Sequence, residues 1–224
     1  KKQELFETLN ASLYSTEKYY TYKFIDRNCT TMVTDKINSL FDGKILEKVD
    51  DKSISYREVL YPYFEDYFWY KLGINVIFGI KTDVKAEKLF LPIELLNSLD
   101  KAIIDGKPLV SEKKIIVKGT EKPASFSFLN SIYLIIALLL FIIVINKRIL
   151  FLSYLFVCGL LGVFLCLVGF YSEHQEILWN YNTLLFSPLF LILPIAKNKC
   201  FKILCNLSLV LLVIYTGFMT TKPH

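Results

Sequence analysis

The spacings that would announce a metal or nucleotide site are missing from this chain. Its five cysteines include no C-x-x-C pair, and there is no H-E-x-x-H, G-x-G-x-x-G or P-loop pattern. Metal, dinucleotide and nucleotide chemistry therefore find no support, and no cofactor is expected. Charge is scarce in the second part of the chain. Residues 1–128 hold 20 Lys+Arg and 19 Asp+Glu, whereas only six basic and two acidic residues follow. Both signs interleave in the first part, so the small positive balance is no nucleic-acid footprint, and no nucleic-acid partner is expected. The chain opens on Lys1 with neither a Met nor an apolar leader. A domain bound for the far side of a membrane needs a signal or an earlier span, so the expectation is that an N-terminal piece precedes Lys1.

What is present divides at about residue 125. Hydrophobic residues make up 54% and aromatics 15% of the 224, too many for an ordinary soluble domain. The excess lies after Phe126. Leu129–Ile145, Ile149–Phe170, Leu184–Ala196 and Ile203–Met219 read as four spans, the third short and kinked by Pro188 and Pro194. Lys147 and Arg148 fill the first loop, and Lys197, Lys199 and Lys202 the third. The middle loop has Glu173, His174 and Glu176 and no basic residue. The positive-inside rule then puts loops one and three in the cytoplasm, and the front domain and the His174 loop outside.

In the charged part, Tyr19–Gly43 carries the chemistry. Asp26–Asn28 is a polar turn, and Asn28 is a favoured N-cap. An apolar stripe of Val33, Ile37, Leu40 and Phe41 predicts a helix that Gly43 stops. Cys29 takes the first helical position, near the stripe, where the helix dipole favours a thiolate. It reads as a nucleophile, against the commoner fate of a buried structural thiol. The other cysteines (Cys158, Cys166, Cys200 and Cys205) sit in or beside apolar runs, as small hydrophobes do.

Around this stretch, residues 3–13 suggest an amphipathic helix with Leu5, Phe6, Leu9 and Leu13 on one side, packed against the Cys29 helix. Tyr56–Tyr70 is dense in aromatics, suiting a core, an interface belt or an acyl-binding wall. Gly73–Gly79 reads as a buried strand or a membrane-dipping loop. Pro92 opens a helix over 92–103, 106–108 turns, 115–117 suggests a short strand, and 112–125 a linker. Within the middle loop, Asn180 and Asn182 read as caps for the third span or as site residues, and His174 as a wet-loop residue or a functional one.

The chain resembles the Lnb-type lipoprotein N-acyltransferases of Bacteroidota, whose periplasmic domain is related to NlpC/P60-like, papain-type folds. The resemblance is carried by Tyr22-Lys23-Phe24, Asp26, Asn28-Cys29-Thr30-Thr31, Asp35, Tyr56-Arg57, Trp69, Gly73-Ile74-Asn75, Gly79, Asp83, Phe90-Leu91-Pro92 and Pro108-Leu109-Val110. In the apolar part, His174 and the Asn180-Tyr181-Asn182 to Pro188 segment match. It implies an α+β papain-like partial domain over 1–125, followed by a four-helix transmembrane bundle over 126–224. It also implies catalytic roles for Cys29 and Asn28, and substrate binding by His174, Glu173, Asn180, Asn182 and Trp69. The implied reaction takes an acyl chain from a phospholipid donor, through a Cys29 thioester, to the α-amine of a diacylated lipoprotein. The location would be the bacterial inner membrane, with the site facing the periplasm. Two departures stand out. The family's upstream Gly-His motif, whose histidine is the expected base, is not in this chain, and Met32 and Thr34 stand where the family tends to have arginines. The competing classes are a membrane-anchored cysteine hydrolase (a peptidoglycan amidase or a lipase) and a non-enzymatic receptor or assembly factor with a structural Cys29.

Overall fold

A computed structural model describes residues 1–41, 45–48, 51, 53–117, 119 and 126–221. Among them the helices are α1 (Lys2–Leu13), α2 (Cys29–Asn38), α3 (Tyr56–Leu60), α4 (Phe68–Ile77), α5 (Pro92–Lys101), α6 (Ile132–Ile145), α7 (Arg148–Tyr171), α8 (Asn182–Leu185) and α9 (Asn198–Met219). The described residues contain one sheet, the antiparallel pair β1 (Ile103–Ile104) and β2 (Lys107–Pro108). Asp105 and Gly106 join the strands with φ of 49° and 75°, as a two-residue hairpin requires. Gly43 and, within the expected linker, residues 118 and 120–125 lie outside the described residues.

The chain divides into two compact units, 1–59 with 84–123 and 60–83 with 124–224. The division expected from composition was a single break at 125; the aromatic segment 60–83 instead groups with the apolar part.

In the first unit, Leu46, Leu89 and Ala102 form a buried cluster with Ile37, Ile45, Leu95, Leu99 and Leu109 against it. A second centre is Phe90, whose ring meets Phe24 and Tyr56 edge-on at 5.8 and 5.3 Å. The Tyr56 hydroxyl accepts from the Glu87 and Lys88 N–H groups. Pro92 occupies the first turn of α5, where its missing N–H costs nothing.

The buried face of α2 departs from the apolar-stripe expectation. Thr30, Thr31 and Thr34 point inward and Val33 is 46% exposed. Two of the threonines bury cheaply because their hydroxyls are paired: Thr34 Oγ1 donates to the Thr30 carbonyl, and Thr31 Oγ1 to that of Asn28. Of the stripe, Val33 and Ile37 line an apolar cleft of about 260 Å³ with Leu5, Leu9 and Met32, while Leu40 is buried. Lys36 ties the rim to Glu17 at 2.9 Å, and that hydrogen bond holds the Glu17 carboxyl below the usual carboxylate range.

In the second unit, α7 and α9 are long and apolar enough to cross a membrane. At 14 residues, α6 reaches about 21 Å. The third apolar segment is not one kinked helix. It forms α8, a 3₁₀ turn at Pro188–Leu191 and further turns. Two prolines explain the interruptions, since neither can donate to a helical ladder. The segment runs antiparallel along the glycine face of α7. Gly169 lies against Leu178, Gly162 against Phe186 and Pro188, and Gly159 against Leu191. A Cβ at Gly162 would overlap the Phe186 carbonyl oxygen. Close approach to a glycine face gives irregular backbone the protein cover it needs among apolar surroundings.

Two segments differ from expectation, 73–79 (a buried strand or a membrane-dipping loop) and 115–117 (a short strand). Gly73–Ile77 continues α4, and Ile115–Val117 is exposed chain without strand pairing.

Candidate functional site

The Cys29 turn is built by hydrogen bonds around Asn28. Lys23 and Arg27 exchange backbone hydrogen bonds at 3.0 and 3.1 Å, closing a tight loop over the fully buried Ile25. That loop delivers Asn28 in an extended conformation, as an N-cap requires. The Asn28 Oδ1 accepts from the Thr31 N–H at 2.9 Å, while the Asn28 N–H donates to Thr31 Oγ1 at 2.8 Å. This is a reciprocal capping box. Asn28 Nδ2 donates to the Phe24 and Phe90 carbonyls. Every polar atom of the Asn28 side chain is thereby engaged, so its role is to position the helix end.

Cys29 is the first residue of α2 and is exposed. Capping occupies the Thr31 N–H, and the Met32 N–H bonds the Asn28 carbonyl. Among the described residues, the N–H groups of Cys29 and Thr30 have no acceptor. A reachable sulfur beside two donors at the positive end of a helix has the geometry of a nucleophile with an oxyanion cradle.

A second feature of this unit was not legible beforehand. Lys48 and Glu94 are both buried, their charged groups 3.8 Å apart. Lys48 also lines a cleft of about 410 Å³ of mixed character, with Thr31, Asp35, Leu46, Lys85 and Leu89 in its wall, which neither Glu94 nor Cys29 lines. No spacing in the sequence pairs positions 48 and 94.

The remaining candidates, Trp69, Glu173, His174, Asn180 and Asn182, belong to the second unit. Asn180 Nδ2 donates to the Val76 and Ile77 carbonyls, and Asn182 Nδ2 to those of Asn75 and Val76. Both asparagines are buried and satisfy the last carbonyls of α4, which have no partner within that helix. Tyr215 adds a hydrogen bond to Asn182 Oδ1. They are caps, though of α4 rather than of the third span. The Gly79 N–H donates to the Glu176 carbonyl at 2.7 Å.

His174 is half exposed, its Nδ1 3.7 Å from the buried Glu176 carboxylate. Glu173 is exposed and makes no ion pair among the described residues. Trp69 donates from its indole to the Leu129 carbonyl at 2.7 Å and leaves much of its ring exposed. Tyr63, Tyr67 and Tyr70, from the same stretch of chain, are also exposed, a composition suited to a lipid–water boundary.

No family model matches the chain, and neither a curated protein nor a solved structure does.

Proposed function

We propose that the chain carries the chemistry of a lipoprotein N-acyltransferase of the Lnb type, with Cys29 as the nucleophile. One observation carries the reading: an exposed thiol opens a capped helix, with the two N–H groups at residues 29 and 30 lacking acceptors. The resemblance in sequence order supports it, and so do the apolar segments after residue 126, which suit an enzyme working on a bilayer lipid. On this reading the first unit belongs to a papain-like domain at the periplasmic face of the inner membrane, and the apolar segments after residue 126 are its membrane part.

In the first half-reaction the Cys29 thiolate attacks a phospholipid ester carbonyl, while the N–H groups of residues 29 and 30 hold the oxyanion. The S–C bond forms, the ester C–O bond breaks, and the lysophospholipid oxygen takes the proton that the thiol gave to the base. In the second, the lipoprotein α-amine attacks the thioester. An amide forms, the C–S bond breaks, and a proton from the amine restores the thiol. The resemblance gives the base to a histidine upstream of the matched stretch, and gives His174 to substrate handling. Asn28 fixes the start of the helix, and Trp69 with its tyrosine neighbours offers an aromatic surface for lipid.

The test is acyl transfer in proteoliposomes from phospholipid to a synthetic diacylated lipopeptide. The wild type should yield the triacylated product. Cys29→Ala should abolish it, and Cys29→Ser should leave little or none, since an alkoxide is far harder to form at neutral pH. Free fatty acid as the product, with no amide formed, would transfer the reading to a hydrolase.

A further inference from the structure

Between α7, α9 and the broken segment lies a cavity of about 680 Å³, the size of a small-molecule site. Its wall is mostly leucine and phenylalanine, among them Leu155, Leu193, Phe201 and Leu209. Arg148 and Lys197 line one end. No carboxylate lines the cavity, and neither cation has an ion pair among the described residues. Arg148 begins α7 and Lys197 caps α9, and neither helix has an acidic residue in its first turn. Two positive helix ends thus add to two unpaired cations. The only acidic residues after position 128, Glu173 and Glu176, follow the opposite end of α7.

We propose that this cavity binds an anionic phospholipid of the surrounding bilayer, with one acyl chain along the Leu and Phe wall and the phosphate on Arg148 and Lys197. The occupant follows from charge complementarity. An apolar slot open beside helices of membrane-spanning length takes hydrocarbon, and a cationic mouth lacking a protein counter-ion takes a headgroup anion. Basic pockets between membrane helices on the cytoplasmic side recognise such lipids. The inference rests on residues 126–224 crossing a membrane and is independent of acyl transfer at Cys29.

The test is native mass spectrometry of the detergent-solubilised protein with equimolar phosphatidylglycerol and phosphatidylcholine of identical acyl chains. Two basic residues near a charged headgroup predict a preference of about 30-fold for phosphatidylglycerol. Arg148→Gln with Lys197→Gln should bring the ratio close to one, and Arg148→Lys with Lys197→Arg should keep it. Ser208→Trp, which fills the slot, should lower bound lipid with both cations in place. Water-soluble glycerophosphate should not displace the lipid. A wild-type ratio near one, a ratio unmoved by the Gln pair, or undiminished lipid in Ser208→Trp would overturn the proposal. So would displacement by glycerophosphate, or a lipid-free dimer that a second copy holds together through this cavity. Acyl transfer by wild-type protein in phosphatidylcholine alone would leave the Cys29 chemistry standing whichever way the lipid ratio falls.

Discussion

Asn28 donates from its side-chain amide to the carbonyl of Phe90, 62 positions away, at 2.8 Å. The residue that starts the Cys29 helix is therefore anchored to the turn that leads into α5. One side chain sets where the cysteine stands and joins two distant stretches of the first unit.

That bond makes Asn28 a sensitive position. Asn28→Ala removes a cap and two further donor bonds to carbonyls, an expected loss of about 2–4 kcal/mol. Asn28→Asp keeps the acceptor for the Thr31 N–H but sets a buried carboxylate oxygen against the Phe24 and Phe90 carbonyl oxygens, so it should fall below alanine. Thermal unfolding of the three proteins reads the order. Equal destabilisation by both variants would remove the tie to Phe90 from the account.

The glycine face of α7 makes a contrasting pair. Gly162→Ala drives a methyl into the Phe186 carbonyl, a backbone group that cannot swing aside, and should cost about 1–3 kcal/mol. Gly73→Ala places its methyl in open space within α4, and should be neutral or stabilising by about 0.5–1 kcal/mol. Melting temperatures of the two variants should move apart, with Gly162→Ala the lower. If both behaved alike, the close packing of the broken segment on α7 would be wrong.

What could be read from the sequence was local. The onset of α2 at Cys29 follows from the N-cap preference of Asn28, whereas the turn expected at 106–108 falls at Asp105–Gly106, with Lys107 and Pro108 already in β2. The Gly73–Gly79 misreading shows the limit. A short apolar run between glycines looks like a strand, but here it continues a helix whose last carbonyls are satisfied by Asn180 and Asn182, more than 100 positions away. The inward face of α2 was hidden for the same reason. Three threonines look like solvent-facing residues until the hydroxyls of Thr31 and Thr34 are seen bonded to backbone. Pro188 and Pro194 did mark the broken segment. How it packs on Gly159, Gly162 and Gly169 is tertiary.

On the proposed reading, the basic loops set the orientation of the apolar segments. In a variant lacking the five native cysteines, Ser172→Cys should react with an impermeant thiol reagent in intact cells, and Asn198→Cys should react only after permeabilisation. The basis is that Lys147, Arg148, Lys197, Lys199 and Lys202 fall in the two loops assigned inside. Reaction at 198 but not at 172 would reverse the orientation and put the Glu173-His174 loop in the cytoplasm.

The central claim is that Cys29 carries the acyl group, and peptide mass spectrometry tests it most directly. Wild-type protein incubated with phospholipid and no acceptor should gain one acyl mass on the peptide containing Cys29. Hydroxylamine should remove that mass, and a diacylated lipopeptide should discharge it into amide. His174→Ala should still load Cys29, at least in part, while transferring more slowly. An acyl adduct on another residue, or one that persists in Cys29→Ala, would contradict the account.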